Sequence, residues 1–325
     1  MFGKSIYIFN PDTDYALASG SPYYTPPKSI VRLIHEMAYF PKRFAGVEDI
    51  VVPYHKIDQI LTVIGGVDNL QNYAIRPWGW NARIRGQLLD AGVPEHKLPT
   101  TEDIDRLREL SHRRTTIRGN EMLNKLLISY NVNPHHLSPL PLEFYSEDEL
   151  LDYYHNTKDE TFIKAPWSSS GRGIMYTGDN RDEQIREWAH GIIRRQGSVM
   201  YEPAADKVLD FATEWNIVDG EPAYWGLSLF ETSSRGKYHG NIDISQREIT
   251  DRIRQFAPDF DNRWIESQYD MLGKLIGKQY QGPLGIDMLV DRTGAIRGCI
   301  EINLRMTMGH ATLLESRHSS DLSDL

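Results

Sequence analysis

Three oxygen-bearing side chains near the C-terminus are spaced as ligands of a hard metal ion would be. Two strand-like runs flank a turn signal at Gly294, and a hairpin folded there places Asp287 opposite Glu301. Asn303 shares the face of Glu301, because strand side chains repeat every two residues. Facing carboxylates repel each other, and a magnesium ion between them would remove the repulsion. The spacing predicts a magnesium site, with a solvated polar hairpin face as the alternative.

A second group of residues has the composition of an anion site. The strand-like run Thr161–Ala165 leads into a loop rich in serine and glycine at residues 166–173. Such small residues leave backbone N–H groups free to converge on an anion. Lys164 supplies a cation at the mouth of the loop, and Arg305 could reach an anion bound to the same metal. The loop matches neither the P-loop nor the GxGxxG pattern, and a flexible hairpin loop is the alternative.

Composition is that of an ordinary globular protein. The 325 residues are 40% hydrophobic and 25% charged, and their number predicts two or three structural units. A formal net charge of -9 argues against a surface that neutralises nucleic acid. Cys299 is the one cysteine, which excludes an internal disulfide and predicts a buried structural thiol. Without a recognisable signal peptide or apolar span, we expect a cytoplasmic protein with no membrane partner.

The elements that position these residues begin with an alternation of short strands and helices over the first 110 residues. Predicted strands lie at Ser5–Phe9, Asp49–Tyr54 and Tyr73–Arg76, and predicted helices at Ser29–Tyr39, Ile57–Ile64, Asn81–Asp90 and Thr101–Leu110. This alternation is typical of an open, mostly parallel α/β sheet, which binds ligands at the carboxyl ends of its strands. Four residues that follow strand ends are therefore candidate substrate contacts: Asn10, Asp14, Trp78 and Asn81. A packing role is the alternative for the tryptophan.

The remaining two thirds of the chain predict a mixture of helices and antiparallel strands. The basic run Ser111–Arg118 is interpreted as a connector and a domain boundary. Helices are predicted at Asn120–Tyr130, Ser146–His155, Asp182–Gln196 and Trp264–Lys278, and strands at Ser198–Glu202, Asp210–Val218 and Ala223–Glu231. Asp219-Gly220 is a two-residue hairpin signal between the last two strands. The polar segment Ser316–Leu325 is expected to be a frayed end.

Taken in order, these features resemble the ATP-grasp superfamily of carboxylate–amine ligases. The shared order is a strand with a lysine, a Ser/Gly loop, a strand ending in glutamate, and an aspartate followed by Glu-x-Asn-x-Arg. The last motif, Glu301 to Arg305 with His310 beyond it, is especially similar to that of biotin carboxylases. The resemblance spans about Ser111–His310. It implies an α/β and α+β chain with a Rossmann-like domain at residues 1–110 and two ATP-grasp subdomains at residues 111–200 and 201–325.

The resemblance also implies a set of nucleotide contacts. Lys164 would meet the α- and β-phosphates of ATP, and Asp210 would contact the ribose. The loop that closes over the phosphates would comprise Ser168, Ser169, Ser170, Gly171 and Gly173. The strand that holds adenine would comprise Met200, Tyr201 and Glu202.

For the metal, the resemblance implies that Asp287, Glu301 and Asn303 bind magnesium and that Arg305 stabilises the γ-phosphate or an acyl-phosphate. The chain departs from the superfamily where a second lysine is usual, because Asn120-Glu121 stands there. Arg118 or Arg114 could substitute, since guanidinium groups bind phosphate well.

These features predict an ATP-dependent ligase that activates a small carboxylate as an acyl-phosphate for attack by an amine or another nucleophile. Its cofactors would be ATP and Mg²⁺, and a homodimer is compatible with the sequence. Two alternatives stay open: a nucleotide-binding pseudoenzyme or regulator, which the missing lysine favours, and a phosphotransferase that acts on a hydroxyl. No Ser–His–Asp or HExxH arrangement supports a hydrolase.

Overall fold

The computed structural model describes residues 4–157, 159–168, 171, 173–233 and 237–323, without the side chains of residues 318–323. The chain divides into two compact units. The first comprises Met1–Leu110, Leu304–Thr307 and Ala311–Leu325, and the second comprises Ser111–Asn303 and Met308–His310.

The first unit is built on a three-stranded parallel sheet in the order β2-β1-β3. Its strands are β1 (Ser5–Ile8), β2 (Ile50–Val51) and β3 (Ala74–Pro77). Its helices are α1 (Thr13–Ser19), α2 (Lys28–Glu36), α3 (Ile60–Val63), α4 (Ala82–Asp90) and α5 (Thr101–Leu110), with 3-10 turns at Phe40–Arg43, Tyr54–Gln59, Val67–Asn72 and Glu95–Lys97. Ile6 of the central strand and Leu88 of α4 are completely buried in its core.

Two predicted elements of this unit are shorter than expected, because proline interrupts them. The strand expected at Asp49–Tyr54 is confined to Ile50–Val51, since Pro53 has no backbone N–H to continue the ladder and precedes a 3-10 turn. The helix expected at Ile57–Ile64 is reduced to α3, because the 3-10 turn extends to Gln59. Helix α1 was not predicted and ends at Gly20, whose φ of 65° is left-handed.

The second unit contains two antiparallel sheets. The smaller has the order β4-β7-β5-β6 and consists of β4 (Leu142–Phe144), β5 (Thr161–Lys164), β6 (Ile174–Tyr176) and β7 (Val199–Pro203). Helices α7 (Glu147–Thr157) and α8 (Asp182–Gln196) pack on it through a core that includes Leu150, Ile163 and Ile185.

The larger sheet has the order β10-β9-β8-β11-β12. Its strands are β8 (Lys207–Val218), β9 (Glu221–Thr232), β10 (Tyr238–Ile242), β11 (Gly282–Asp291) and β12 (Ile296–Asn303). The remaining helices are α6 (Arg114–Ser129), α9 (Gln246–Phe256), α10 (Asn262–Leu275) and α11 (Met308–Ser323), with 3-10 turns at Pro134–His136, Thr177–Asp179 and Gly277–Gln279. The predicted hairpin between β8 and β9 is confirmed, with Asp219 at φ 54° and Gly220 at φ 89° in its turn.

The mixed α/β architecture predicted from the sequence is confirmed, with parallel strands in the first unit and antiparallel sheets in the second. The connector predicted at Ser111–Arg118 is shorter than expected, because α6 begins at Arg114, while the division between the two compact units falls at its start, between Leu110 and Ser111. A Cβ added at Gly119 would lie 3.4 Å from the Cδ1 of Ile302, so α6 lies closely against β12 at this glycine. The frayed end expected from Ser316 is also wrong, since α11 continues to Ser323.

No helix in the described part of the chain combines the length and apolarity needed to cross a membrane.

Candidate functional site

The β11–β12 hairpin brings the three predicted metal ligands together. Asp287 is the register partner of Glu301, and Asn303 is the partner of Gly285 on the same face. The amide Nδ2 of Asn303 donates a hydrogen bond to Oδ2 of Asp287 at 3.2 Å. The juxtaposition expected from the hairpin spacing is therefore confirmed, while the role of these residues as metal ligands stays a prediction.

Arg113 connects this carboxylate group to the Ser/Gly loop. Its guanidinium lies 2.9 Å from Oε1 of Glu301, and the side chain is only 7% exposed. The same guanidinium donates to the backbone oxygen of Ala165 and to Oγ of Ser168, both at 3.1 Å. Its backbone N–H donates to the oxygen of Pro166 at 3.1 Å. The arginine therefore fixes the start of the loop relative to Glu301.

The sequence analysis proposed Arg114 or Arg118, and not Arg113, as the substitute for the missing lysine. Arg114 forms a two-point contact with Glu143, with distances of 2.7 and 3.2 Å, and Arg118 is exposed on α6. Asn120, at the position of the expected lysine, is buried and donates to the backbone oxygen of Cys299 at 2.7 Å. The run His-Arg-Arg-Thr-Thr carries two adjacent arginines, and only the direction in which α6 starts decides which one turns inward.

Lys164 lies on β5 and pairs with Glu202 of β7. Its Nζ is 2.6 Å from Oε2 of that glutamate, and both side chains are mostly buried. A phosphate that reaches Lys164 would meet an ammonium already held in place by this ion pair.

The thiol of Cys299 is buried, as expected, and burial raises its pKa, with further increases from the negative charges of Asp287, Glu202 and Glu301. Among the described residues, Arg113 pairs with Glu301 and Lys164 pairs with Glu202. The Asp287, Glu301 and Asn303 side chains supply only oxygen ligands to a metal, and such a donor set fits a hard divalent cation.

The Ser/Gly loop is closed at its base by a hydrogen bond from the N–H of Ala165 to the oxygen of Gly173, at 2.8 Å. Gly171 and Gly173 have φ values of 73° and 76°, in the left-handed region. A Cβ at Gly173 would lie 2.8 Å from the Cβ of Ser168, so the turn needs glycine there. The predicted contacts Ser169 and Ser170 lie outside the described residues.

The other predicted nucleotide residues are largely occupied by neighbours. Met200 and Tyr201 are buried, and the tyrosine hydroxyl lies 3.0 Å from Oγ1 of Thr157, so these side chains pack inward. Asp210 is held by an ion pair with Lys207 at 2.5 Å and by a hydrogen bond from Thr232 at 2.7 Å. The strand β7 is paired with β4 on one side, at Met200 and Tyr201, and with β5 on the other, so its role in holding adenine stays a prediction.

Three of the four predicted substrate contacts take part in the packing of the first unit. Asn10 is completely buried and donates to the backbone oxygen of Gly79 at 2.8 Å. Asn81 caps α4 by accepting from the N–H of Ile84 at 3.0 Å. Trp78 is buried with its ring centre 4.9 Å from that of Phe9.

The fourth substrate candidate, Asp14, pairs with the predicted phosphate arginine. A guanidinium nitrogen of Arg305 lies 2.9 Å from Oδ2 of Asp14, and both residues belong to the first unit. Arg305 also donates to the backbone oxygen of Met306 at 3.2 Å. This arginine is therefore engaged with a carboxylate of its own unit.

His310, quoted in the motif, has a buried structural contact in the second unit. Its Nδ1 lies 2.9 Å from Oε2 of Glu214, and its Nε2 lies 3.0 Å from the backbone oxygen of Trp215. Both ring nitrogens are thus used to attach the first turn of α11 to β8.

No protein-family model matches the chain, and no curated protein does. Solved structures do match. The biotin carboxylase of Campylobacter jejuni has a TM-score of 0.54 at 14% identity, covering 97% of this chain and 70% of its own. The biotin carboxylase domain of the Hydrogenobacter thermophilus 2-oxoglutarate carboxylase, solved with MgADP and bicarbonate, has a TM-score of 0.52 at 12% identity, covering 98% and 70%. Rhizobium etli pyruvate carboxylase has a TM-score of 0.51 at 16% identity, covering 96% of this chain and 27% of its own.

At these identities the likeness shows the fold. The chain has the ATP-grasp fold, as the order of its motifs predicts. The comparisons do not identify a substrate.

Proposed function

We propose that the protein is an ATP-dependent ligase that activates a small carboxylate as an acyl-phosphate, which an amine or another nucleophile then attacks. The main support is the buried side chain of Arg113, which contacts both Glu301 of the Asp287–Glu301–Asn303 group and Ser168 of the Ser/Gly loop. An arrangement of acidic ligands beside a cation and an N–H-rich loop suits a metal-bound nucleotide phosphate. The fold shared with the biotin carboxylases supports the same class of reaction.

Asp287, Glu301 and Asn303 would hold Mg²⁺, which, when bound, neutralises phosphate charge. Asn303 lies beside Asp287, to which its amide nitrogen donates a hydrogen bond at 3.2 Å, and a half-turn of the amide would present its oxygen to the same ion. The ion would also relieve the repulsion between the two carboxylates that the hairpin places opposite each other.

Two cations of the second unit would neutralise the charge that moves toward ADP during phosphoryl transfer. Lys164 is held by Glu202, and Arg113 is held by Glu301 and two loop oxygens, so neither must be ordered at the moment of reaction. We assign to Arg113 the part usually played by the second lysine of the superfamily. The loop that begins at Ser168 would exclude water from the acyl-phosphate.

A nucleotide-binding regulator without ligase activity is the second candidate. The observation in its favour is the ion pair of Arg305 with Asp14, because this engages the arginine predicted to stabilise the transferred phosphate. Such a protein would bind ATP and Mg²⁺ but would form no ADP with any pair of acid and amine.

Thermal unfolding with ATP, with and without Mg²⁺, tests the proposal in wild type and Glu301→Gln. A ligand at 100 times its Kd adds about 2.7 kcal/mol of stability. We expect this gain to need Mg²⁺ and to be lost in Glu301→Gln, because the amide keeps the shape but removes a charged ligand. Glu266→Gln, on the exposed side of α10, is the matched control and should retain the gain.

Turnover separates the two candidates. ADP formation in wild type should depend on both an acid and an amine, and it should be absent in Glu301→Gln. Stabilisation by ATP without ADP formation would favour the regulator, and no stabilisation of wild type would refute both candidates.

A further inference from the structure

Four side chains of the first unit meet beyond the carboxyl ends of its strands. Asp12 follows β1, Tyr54 follows β2, Arg83 lies in the first turn of α4 after β3, and Tyr24 lies between α1 and α2. Arg83 forms an ion pair of 2.6 Å with Oδ2 of Asp12, whose side chain is completely buried. Its guanidinium carbon lies 5.2 Å from the ring centre of Tyr54 and 6.0 Å from that of Tyr24.

Three oxygens of this cluster have no hydrogen-bond partner among the described residues: Oδ1 of Asp12 and the hydroxyls of Tyr24 and Tyr54. All three atoms are buried. An unpaired buried polar atom destabilises the folded state, so three in one cluster point to a missing partner.

The electrostatics place the three oxygens in one neighbourhood. Burial raises the pKa of Tyr24 to about 12, and the negative charge of Asp12 is the next cause of that shift. The pKa of Tyr54 is raised by the same two causes in the same order. Burial likewise raises the pKa of Asp12, against the opposing effect of Arg83.

We propose that this cluster binds a small zwitterion that carries an ammonium group beside a carboxylate, the chemistry of an amino acid. The ammonium would donate to Oδ1 of Asp12. The carboxylate would accept from the hydroxyls of Tyr24 and Tyr54 and from the N–H groups of Arg83 that do not contact Asp12. The carboxyl ends of parallel strands are where open α/β sheets bind their ligands.

A ligand with only one charge fits the cluster less well. A plain anion would be repelled by Asp12, and a plain amine would lie beside the guanidinium of Arg83 without using the two hydroxyl donors. A zwitterion satisfies all three unpaired oxygens. Entry requires movement of the segment of residues 20–27, which carries Tyr24 and contains neither helix nor strand.

Binding is measured on the full chain without nucleotide, by thermal unfolding and calorimetry with each standard L-amino acid. Analogues of the best ligand that lack either the ammonium or the carboxylate are tested beside it. We expect at least one amino acid to raise the unfolding midpoint and neither analogue to do so. No shift with any amino acid, or equal shifts with an analogue, would overturn the proposal.

Single-atom variants test the contacts. Tyr54→Phe and Tyr24→Phe each remove one hydroxyl and should weaken binding about tenfold. Tyr23→Phe is the matched control, because Tyr23 is adjacent to Tyr24 but 89% exposed, and it should bind as wild type does. Unchanged affinity in both hydroxyl deletions would mean that ordered water satisfies the cluster, and the proposal would fail.

Binding of the zwitterion does not depend on the proposed ligase activity, whereas its role as a substrate does rest on that proposed function. Glu301→Gln should keep amino-acid binding while losing Mg²⁺-dependent stabilisation by ATP. Tyr54→Phe should keep the stabilisation by ATP while binding the amino acid about tenfold more weakly. The failure of either site is therefore visible without the other.

Discussion

Replacing Arg113 with glutamine tests whether this arginine organises the proposed nucleotide site. The change removes an ion pair of 2.9 Å with Glu301 and two side-chain hydrogen bonds of 3.1 Å. Removing one partner of a buried ion pair costs about 3–5 kcal/mol. Glu301 is 26% exposed, so water can reach its carboxylate after the change. We therefore expect a loss at the lower end of this range, about 3 kcal/mol of stability.

The cost should depend on the ligand. If Glu301 binds magnesium, then ATP with Mg²⁺ supplies a new positive partner for the carboxylate that Arg113→Gln leaves unpaired. The variant should still bind ATP more weakly than wild type, because a phosphate contact is lost. The expected loss of binding free energy is about 1.5–3 kcal/mol, the contribution of a hydrogen bond to a charged group.

Urea unfolding and ATP titration by calorimetry measure the two effects. Arg113→Lys keeps the charge but cannot make the forked contact with Glu301, Ala165 and Ser168 together, so it should fall between wild type and Arg113→Gln. Arg194→Gln, on an exposed position of α8, is the control and should change neither quantity. Wild-type stability and wild-type ATP affinity in Arg113→Gln would refute the reasoning.

Two further predictions concern the elements around the site. Burial raises the pKa of Glu143, but hydrogen bonds from Arg114 and Ser198 outweigh it and hold the pKa below its ordinary value of 4.5. The stability gained from this ionised carboxylate is present above pH 4.5 and is lost as the pH falls through the lower folded-state pKa. Glu143→Gln should therefore be less stable than wild type at neutral pH and lose less stability on acidification in urea unfolding, and parallel pH profiles would contradict this. Gly173→Ala should lower stability by about 1–3 kcal/mol and reduce ADP formation, because it combines a φ of 76° with a contact on Ser168. Gly273→Ala in α10, where a Cβ meets nothing within 4 Å, is the control and should be neutral or stabilising in thermal unfolding.

Features with local physical causes follow from the amino-acid sequence alone. The turn at Gly294 placed Asp287 and Glu301 on neighbouring strands, and Asp219-Gly220 defined the β8–β9 hairpin, because both follow from turn chemistry. The direct pairing of Asp287 with Glu301 also needs a register shift between Asp287 and Leu289, since Leu289 pairs with Arg297. The order of these motifs also predicted the ATP-grasp fold. The short strands β4 and β10 and the helices α1 and α11 were not predicted, since packing against the rest of the chain, more than propensity, stabilises them. Helix α9 was also missed, although the capping box of Ser245 and Glu248 at its start is a local signal.

Which polar side chains meet depends on how whole elements pack in three dimensions. Arg113 and Arg114 are adjacent and chemically identical, yet one turns toward Glu301 and the other toward Glu143, because the start of α6 fixes their directions. Asn10 and Asn81 follow strand ends, as ligand contacts do, but their amides are used for backbone hydrogen bonds. Asp12, Tyr24, Tyr54 and Arg83 are separated by up to 71 residues and form a cluster only because parallel strands end at one edge of the sheet. Contacts between distant segments depend on the packing of whole elements, which residue spacing alone does not specify.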